Sequence, residues 1–184
     1  MKKTWLIILV LLVLVGGYFW LTYNSLVTKN ELADSQWAQV EVQYQRRFDL
    51  IPNLVASVRG FMTQEQTIFD NLAQARTRYA GATSVNDKAS AASEVETGLA
   101  RLLVVMENYP ALRSVETVQG LMAQLEGTEN RVSVERKRFN DTIRDYNLIA
   151  KRFPGSLVAS LAGFDERAYF EAAEGTDVVP AVKL

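Results

Sequence analysis

The stretch Tyr44-Gln45-Arg46-Arg47-Phe48-Asp49-Leu50-Ile51-Pro52-Asn53-Leu54-Val55 decides how the chain is read. Its apolar residues belong to two rows that extend on both sides. Trp37, Tyr44, Ile51, Val58, Glu65, Leu72 and Tyr79 recur at spacing seven, and Phe48, Val55, Met62 and Phe69 form a second row. Val40, Leu54, Phe61, Ile68 and Ala75 widen the stripe. A stripe this broad is the face of a helix in a bundle, wider than a two-stranded coiled-coil seam. The spacing passes Pro52 without a change of phase. This predicts one long helix from about Ser35 to Ala80, kinked at Pro52. An interior proline removes a backbone hydrogen bond and costs ~3 kcal/mol, so something at the kink must compensate.

Arg46, Arg47, Asp49, Pro52 and Asn53 are the residues of this stretch that a plain bundle would not choose. The Asn53 amide could satisfy a carbonyl freed by Pro52. Spacing two or three between the arginines and Asp49 is awkward for pairing, so partners from another helix are expected. Asn140 and Asn147, at spacing seven on the last long helix, with Tyr146 beside them, are the candidates. Two readings follow: a polar layer that fixes bundle register, which is the blander and preferred one, or a ligand or partner site.

Downstream, Gly81-Ala82-Thr83-Ser84 ends the first long helix, and Ser84 with Asp87 resembles a capping box. Ala92, Val95, Leu99, Leu102, Leu103, Met106 and Tyr109 give a second helix, closed at Asn108-Tyr109-Pro110. Pro110 suits the first turn of a third, faced by Leu112, Val115, Val118, Met122 and Leu125. Gly127-Thr128 reads as a stop and new cap, with a continuous helix as the alternative. The last long helix spans about Glu129 to Arg152, and Phe153-Pro154-Gly155 breaks it. A short helix over Ser156–Ala162 and an extended tail follow. In the tail Val178, Val179, Pro180, Val182 and Leu184 are candidate docking residues.

Upstream, Thr4 to Leu21 is 18 residues without a charge, about 27 Å as a helix and marginally enough to span a bilayer core. Trp5 lies at one end and Tyr18, Trp20 and Tyr23 at the other, as interfacial aromatics do. Lys2 and Lys3 at the front place the N-terminus in the cytoplasm and the rest of the chain outside. A cleaved signal peptide is the competing reading, because Val15-Gly16-Gly17 tolerably fits a cleavage pattern. The anchor is preferred because apolar residues continue to Leu21. The expected organisation is an anchor over 1–23, a helical bundle over 24–155, and a short helix with a tail over 156–184. The fold class is all-α, an up-and-down bundle of three to four long helices.

Composition narrows function. Setting Lys2 and Lys3 aside, 18 basic residues face 21 acidic ones, a balance of −3. That argues against a nucleic-acid partner. The chain has neither Cys nor His, which excludes disulfides, thiolate or imidazole metal ligation, and His-based catalysis. Asp141 with Asp145, and Glu94 with Glu96, are carboxylate pairs with arginines nearby, and a solvated charged face is the favoured reading. Glu65, on the apolar row, is expected at the edge of the stripe. No phosphate-binding loop is present, and no cofactor or metal is expected.

Tyr23-Asn24-Ser25-Leu26-Val27 after a membrane segment, the Arg46-to-Val55 stretch and Ala75-Arg76 together resemble the LemA family of bacterial single-pass membrane proteins. The similarity continues through Glu107-Asn108-Tyr109-Pro110, Arg138-Phe139-Asn140, Asp145-Tyr146-Asn147, Arg152-Phe153-Pro154, Gly163-Phe164 and Tyr169-Phe170-Glu171. It ends at Pro180-x-Val182 and departs at Leu184, where the family often has an aromatic, and in the looser Lys29-to-Ala33 segment. The resemblance implies a single-pass anchor and a helical bundle in the bacterial plasma membrane, and it supplies no catalytic residues. Family members are often encoded beside membrane metalloproteases; the resemblance thereby suggests a part in envelope maintenance, with a protein partner, such a metalloprotease among the candidates, or a homo-oligomer expected. Three functions are weighed: a non-enzymatic scaffold or adaptor acting through protein partners or a homo-oligomer, a ligand-sensing bundle, and an enzyme using Asp, Glu or Tyr. The first is preferred.

Overall fold

A computed structural model describes residues 2–170 of the chain. The tail residues Val178, Val179, Pro180, Val182 and Leu184 lie outside the described residues. Five α-helices follow one another: α1 (Lys2–Val58), α2 (Gln66–Gly81), α3 (Val85–Met106), α4 (Glu116–Lys151) and α5 (Gly155–Ala162), with a 3-10 turn at Pro110–Ser114 between α3 and α4. No strand occurs among the described residues. The all-α class expected from the periodicity is what the chain adopts.

Four boundaries differ from those expected, the first being that the long helix placed from about Ser35 begins at Lys2, so the apolar run and the stripe after it are one helix, α1. The helix expected to reach Ala80 stops at Val58, and α2 begins at Gln66. The intervening residues 59–65 close two tight turns, with Phe61 and Met62 N–H groups both donating to the Val58 carbonyl. Met62, fully buried, pins that link. The link is seven residues long, so it carries the apolar rows from one helix to the next without altering their spacing. Gly127-Thr128 does not stop a helix. The segments expected on either side of it are one helix, α4, and Pro110 opens the 3-10 turn instead. The Thr128 hydroxyl donates back to the Leu125 carbonyl at 2.8 Å, so it serves the helix from within rather than capping a new one. Pro52 does lie inside α1, as expected.

The N-cap of α3 is as the sequence implies: Ser84 Oγ accepts from the Asp87 N–H at 3.0 Å. α5 ends at Gly163, whose φ of 75° is the left-handed conformation that glycine adopts cheaply. The Phe164 N–H then reaches the Ala159 carbonyl at 2.9 Å, closing the helix end.

The described residues form two compact units, one from 2–38 with 137–169, the other from 39–136 with Phe170. In the first, Leu26, Tyr146, Val158 and Ala159 make a buried cluster, flanked by Ile149, Ala150 and Phe164. Trp37 packs on Phe139 with ring centres 5.3 Å apart. In the second, Tyr44, Phe48 and Tyr79 pack as a ring cluster, Phe48 edge-on to Tyr79 at 4.9 Å. Leu54, Leu72, Val95, Leu99 and Leu102 complete that core. Nearly every residue of the two apolar rows is buried, and Glu65 is half-buried at the entry to α2, as an edge position should be.

Candidate functional site

The polar residues singled out around Pro52 separate by exposure. Arg46, Asp49, Pro52 and Asn53 face solvent. Asp49 accepts from Gln45 Nε2 one turn earlier at 2.7 Å, and the Asn53 carbonyl accepts from Ser57 Oγ at 2.8 Å. The Asn53 side chain, expected to satisfy the kink, is exposed instead. Arg47 alone turns inward and is 5% exposed. Its partners are not Asn140 or Asn147. Nη1 donates to the Leu125 carbonyl at 2.6 Å and lies 3.5 Å from Thr128 Oγ1, while Nη2 lies 3.5 Å from Glu129. All three acceptors belong to one turn of α4. The Arg47 Nε is buried with no partner.

Tyr146 and Asn147 serve the other unit. The Tyr146 hydroxyl donates to the Asp165 carbonyl at 2.8 Å. The Asn147 amide pairs with the Arg167 backbone both ways, donating from Nδ2 to its carbonyl and accepting its N–H at Oδ1. The Arg167 guanidinium in turn reaches Asn30 and Asp34 on α1. These residues fasten the chain after α5 to α1 and α4. Asn140 is half-buried on α4. The single polar layer expected across these residues is therefore two separate arrangements.

Arg47 forms part of the wall of an open cleft of about 660 Å³. Leu103, Met106, Leu112, Val118 and Met122 make it apolar, and Glu107, Glu126 and Glu129 ring it. The sequence places Leu103 and Met106 on one helix face, Leu112, Val118 and Met122 on another, and Glu107 in the Glu107-to-Pro110 stretch, but nothing in it marks them as one cleft. The available signal was the acidic pair Glu126 and Glu129, set three apart beside an apolar row.

A second polar group lies within the same unit. Glu96 sits 3.8 Å from Arg136, both side chains largely buried, and Arg136 stacks over the Phe170 ring at 4.2 Å. Burial raises the Glu96 carboxyl above its ordinary range, with Arg136 and then Arg47 opposing the rise. The phenols of Tyr44 and Tyr79 are also pushed up, by burial first and then by Glu96 and Glu41 respectively. Both hydroxyls are buried without partners, so they stay protonated at neutral pH. The Glu96 shift has a definite sign. A carboxyl raised in the folded state binds more protons there than in the unfolded chain. Stability from this group is therefore greatest below its unfolded value of 4.5 and declines as pH rises through its folded value. Glu96→Gln should abolish that decline: urea midpoints of variant and wild type should agree near the acid end, and the variant should be at least as stable at neutral pH.

Of the two carboxylate pairs expected to be a solvated face, Asp141 and Asp145 are charged surface, but Glu94 and Glu96 split: Glu94 stays outside while Glu96, two residues on and so on a different side of α3, turns toward Arg136. Arg144 bridges Asp141 at 3.1 Å and Asp145 at 3.9 Å, Lys29 also meets Asp145, and Arg78 holds Glu94. Among the described residues no group of acidic side chains is arranged to hold a metal ion.

The chain is similar in sequence to known proteins. The chain is 26% identical over 175 residues to the magnetosome proteins MamQ 1 and MamQ 2 of Paramagnetospirillum magneticum, covering 81% of this chain and 64% of each relative. It is 26% identical over 174 residues to the magnetosome protein MamQ of Magnetospirillum gryphiswaldense, covering 80% of this chain and 64% of that one. The chain thus spans a little under two thirds of the length of these curated relatives. The LemA family model matches residues 36–184, from just before the Arg47 stretch to the final residue, and the chain belongs to the LemA family.

Proposed function

We propose that this protein is a membrane-anchored, non-enzymatic scaffold or adaptor of the bacterial cell envelope that works through protein contacts or self-assembly. The Arg47 cleft carries the reading. An apolar groove with three acids on its rim suits a partner segment that presents apolar side chains flanked by Lys or Arg. The non-enzymatic reading is supported by the lack of Cys and His, which leaves out the commonest nucleophile and general base. The anchor rests on α1, which contains an 18-residue window of mean hydropathy 2.4, none of it buried. On this reading Lys2 and Lys3 stay in the cytoplasm and the bundle lies outside. A second copy of the chain and a membrane metalloprotease are the partner classes to look for first.

Native mass of the full chain in mild detergent tests this. A mass above that of one chain is expected, and Glu107→Lys with Glu126→Lys should lower it by removing the acidic rim. A single-chain mass that the reversals leave unchanged, with nothing bound, contradicts the proposal.

Ligand sensing is the second reading, favoured by the unpartnered Arg47 Nε. It requires a small anion that raises the melting temperature of the wild type but not of Arg47→Ala.

A further inference from the structure

Burial along α1 changes abruptly. Every described residue through Leu21 is exposed, Thr22 is buried, and Leu26 is fully buried. The element that covers Leu26 is α5, through Val158 and Ala159, and Phe164 just beyond it meets Tyr23 edge-on at 5.8 Å. α5 therefore sits immediately past the end of the apolar run. From Leu21 to Leu26 the helix advances only about 7.5 Å at 1.5 Å per residue.

α5 is Gly155-Ser156-Leu157-Val158-Ala159-Ser160-Leu161-Ala162, with no charge in it. One face is spent on Leu26 and Tyr146. The opposite side is also apolar and is left open: Leu157 is 57% exposed and Leu161 78%, one turn apart, and Phe153, in the turn that leads into α5, is 79% exposed. Arg152, exposed, precedes this ridge directly, and Lys151 before it is exposed and paired with Glu166 at 2.5 Å. A helix apolar on both sides needs a second apolar surface to cover it. Helices that lie in the membrane interface bury their apolar face ~5–10 Å into the headgroup and acyl boundary, with basic residues beside the phosphates.

We infer that Phe153, Leu157 and Leu161 dip into the bilayer surface beside the anchor, so that α5 is an interfacial foot held against α1. The occupant of this face is lipid. Lipid already covers the neighbouring surface on the anchor reading, because Phe164, just past α5, meets Tyr23 at the end of the exposed apolar run of α1 that includes Tyr18 and Trp20. The inference rests on the anchor reading of α1 given above. The foot would fix the height and tilt at which the unit that contains α5 leaves the membrane, which one helix alone leaves free.

The absence of cysteine makes the test clean. The full chain, carrying a single NBD-labelled cysteine as Val10→Cys, Leu157→Cys, Leu161→Cys or Lys137→Cys, is reconstituted in phosphatidylethanolamine and phosphatidylglycerol vesicles. Some vesicles contain lipid with a nitroxide just below the headgroup, others lipid with a nitroxide deep in the acyl chain. The Val10 probe should lose most of its fluorescence to the deep nitroxide. The Leu157 and Leu161 probes should be blue-shifted and lose most of theirs to the shallow one. The Lys137 probe, four turns before Lys151 on α4, should respond to neither. A quenched Val10 probe with unquenched Leu157 and Leu161 probes overturns the foot and leaves the anchor standing. An unquenched Val10 probe overturns the anchor and the foot together. A blue shift at Leu157 and Leu161 that follows protein concentration and ignores the nitroxides would show that a second copy covers the ridge, which also overturns it.

Discussion

Arg47→Ala is expected to lower the stability of the protein by about 3 kcal/mol, the scale of removing one member of a buried charged network. The ion pair with Glu129 contributes little to this. The Glu129 side chain is 69% exposed, and such pairs are worth about 0–1 kcal/mol. The loss comes from the charge-assisted bond to the Leu125 carbonyl and from the space left where the guanidinium lay. Two further variants separate these causes. Glu129→Gln should change stability by less than about 1 kcal/mol. Arg47→Met, which fills most of the volume without burying a cation, should cost clearly less than alanine. Urea denaturation followed by far-ultraviolet circular dichroism gives all three values. If alanine and wild type unfold at the same midpoint, Arg47 does not join α1 to α4.

Gly155→Ala should be comparably damaging in the other unit, at about 2–3 kcal/mol. A Cβ at this buried position would stand 2.5 Å from the Ile149 carbonyl oxygen. That oxygen belongs to the backbone of α4, so relief requires the start of α5 to move. Gly163, with its positive φ, has open space around it, and alanine there should cost only about 1–2 kcal/mol. Gly127 lies inside α4 with nothing near its Cβ direction, and alanine there should stabilise by about 0.5–1 kcal/mol. The order of the three, measured in the same denaturation experiment, checks the packing at the α4–α5 corner. Equal midpoints for Gly155→Ala and wild type would mean that the corner is looser than the 2.5 Å approach indicates.

The sequence disclosed the helices because burial and periodicity are the same fact seen twice. Tyr44, Phe48, Ile51, Leu72 and Tyr79 recur at helical spacing because they fill one core. It concealed the break at residues 59–65 for a related reason. A link of seven residues preserves a seven-residue spacing, so only Gly60 hinted at the turn. Proline was the louder signal and the weaker fact, since Pro52 stays inside α1. At the candidate site, Arg47 was legible because a cation on the flank of an apolar row needs a partner. Its partner was not, since the strongest acceptor is the Leu125 carbonyl, and a backbone group has no letter in the sequence. Asn147 was similarly visible as a residue but not as a clamp, because its partner is the Arg167 backbone twenty positions on. The acids on the cleft rim were invisible individually. Glu107, Glu126 and Glu129 come together only because α3 ends where α4 passes, a matter of tertiary packing.

The adaptor reading turns on whether the Arg47 cleft receives a protein segment while the chain is held in its native membrane. A photo-crosslinking side chain at Met122, within the cleft, can be activated in intact membranes and compared with the same group at exposed Gln45. One adduct of defined mass from position 122, absent at position 45 and lost on reversing Glu107 and Glu126 to lysine, is the expected result. Equal, unspecific labelling from both positions, or no adduct from Met122 at any expression level, would contradict it.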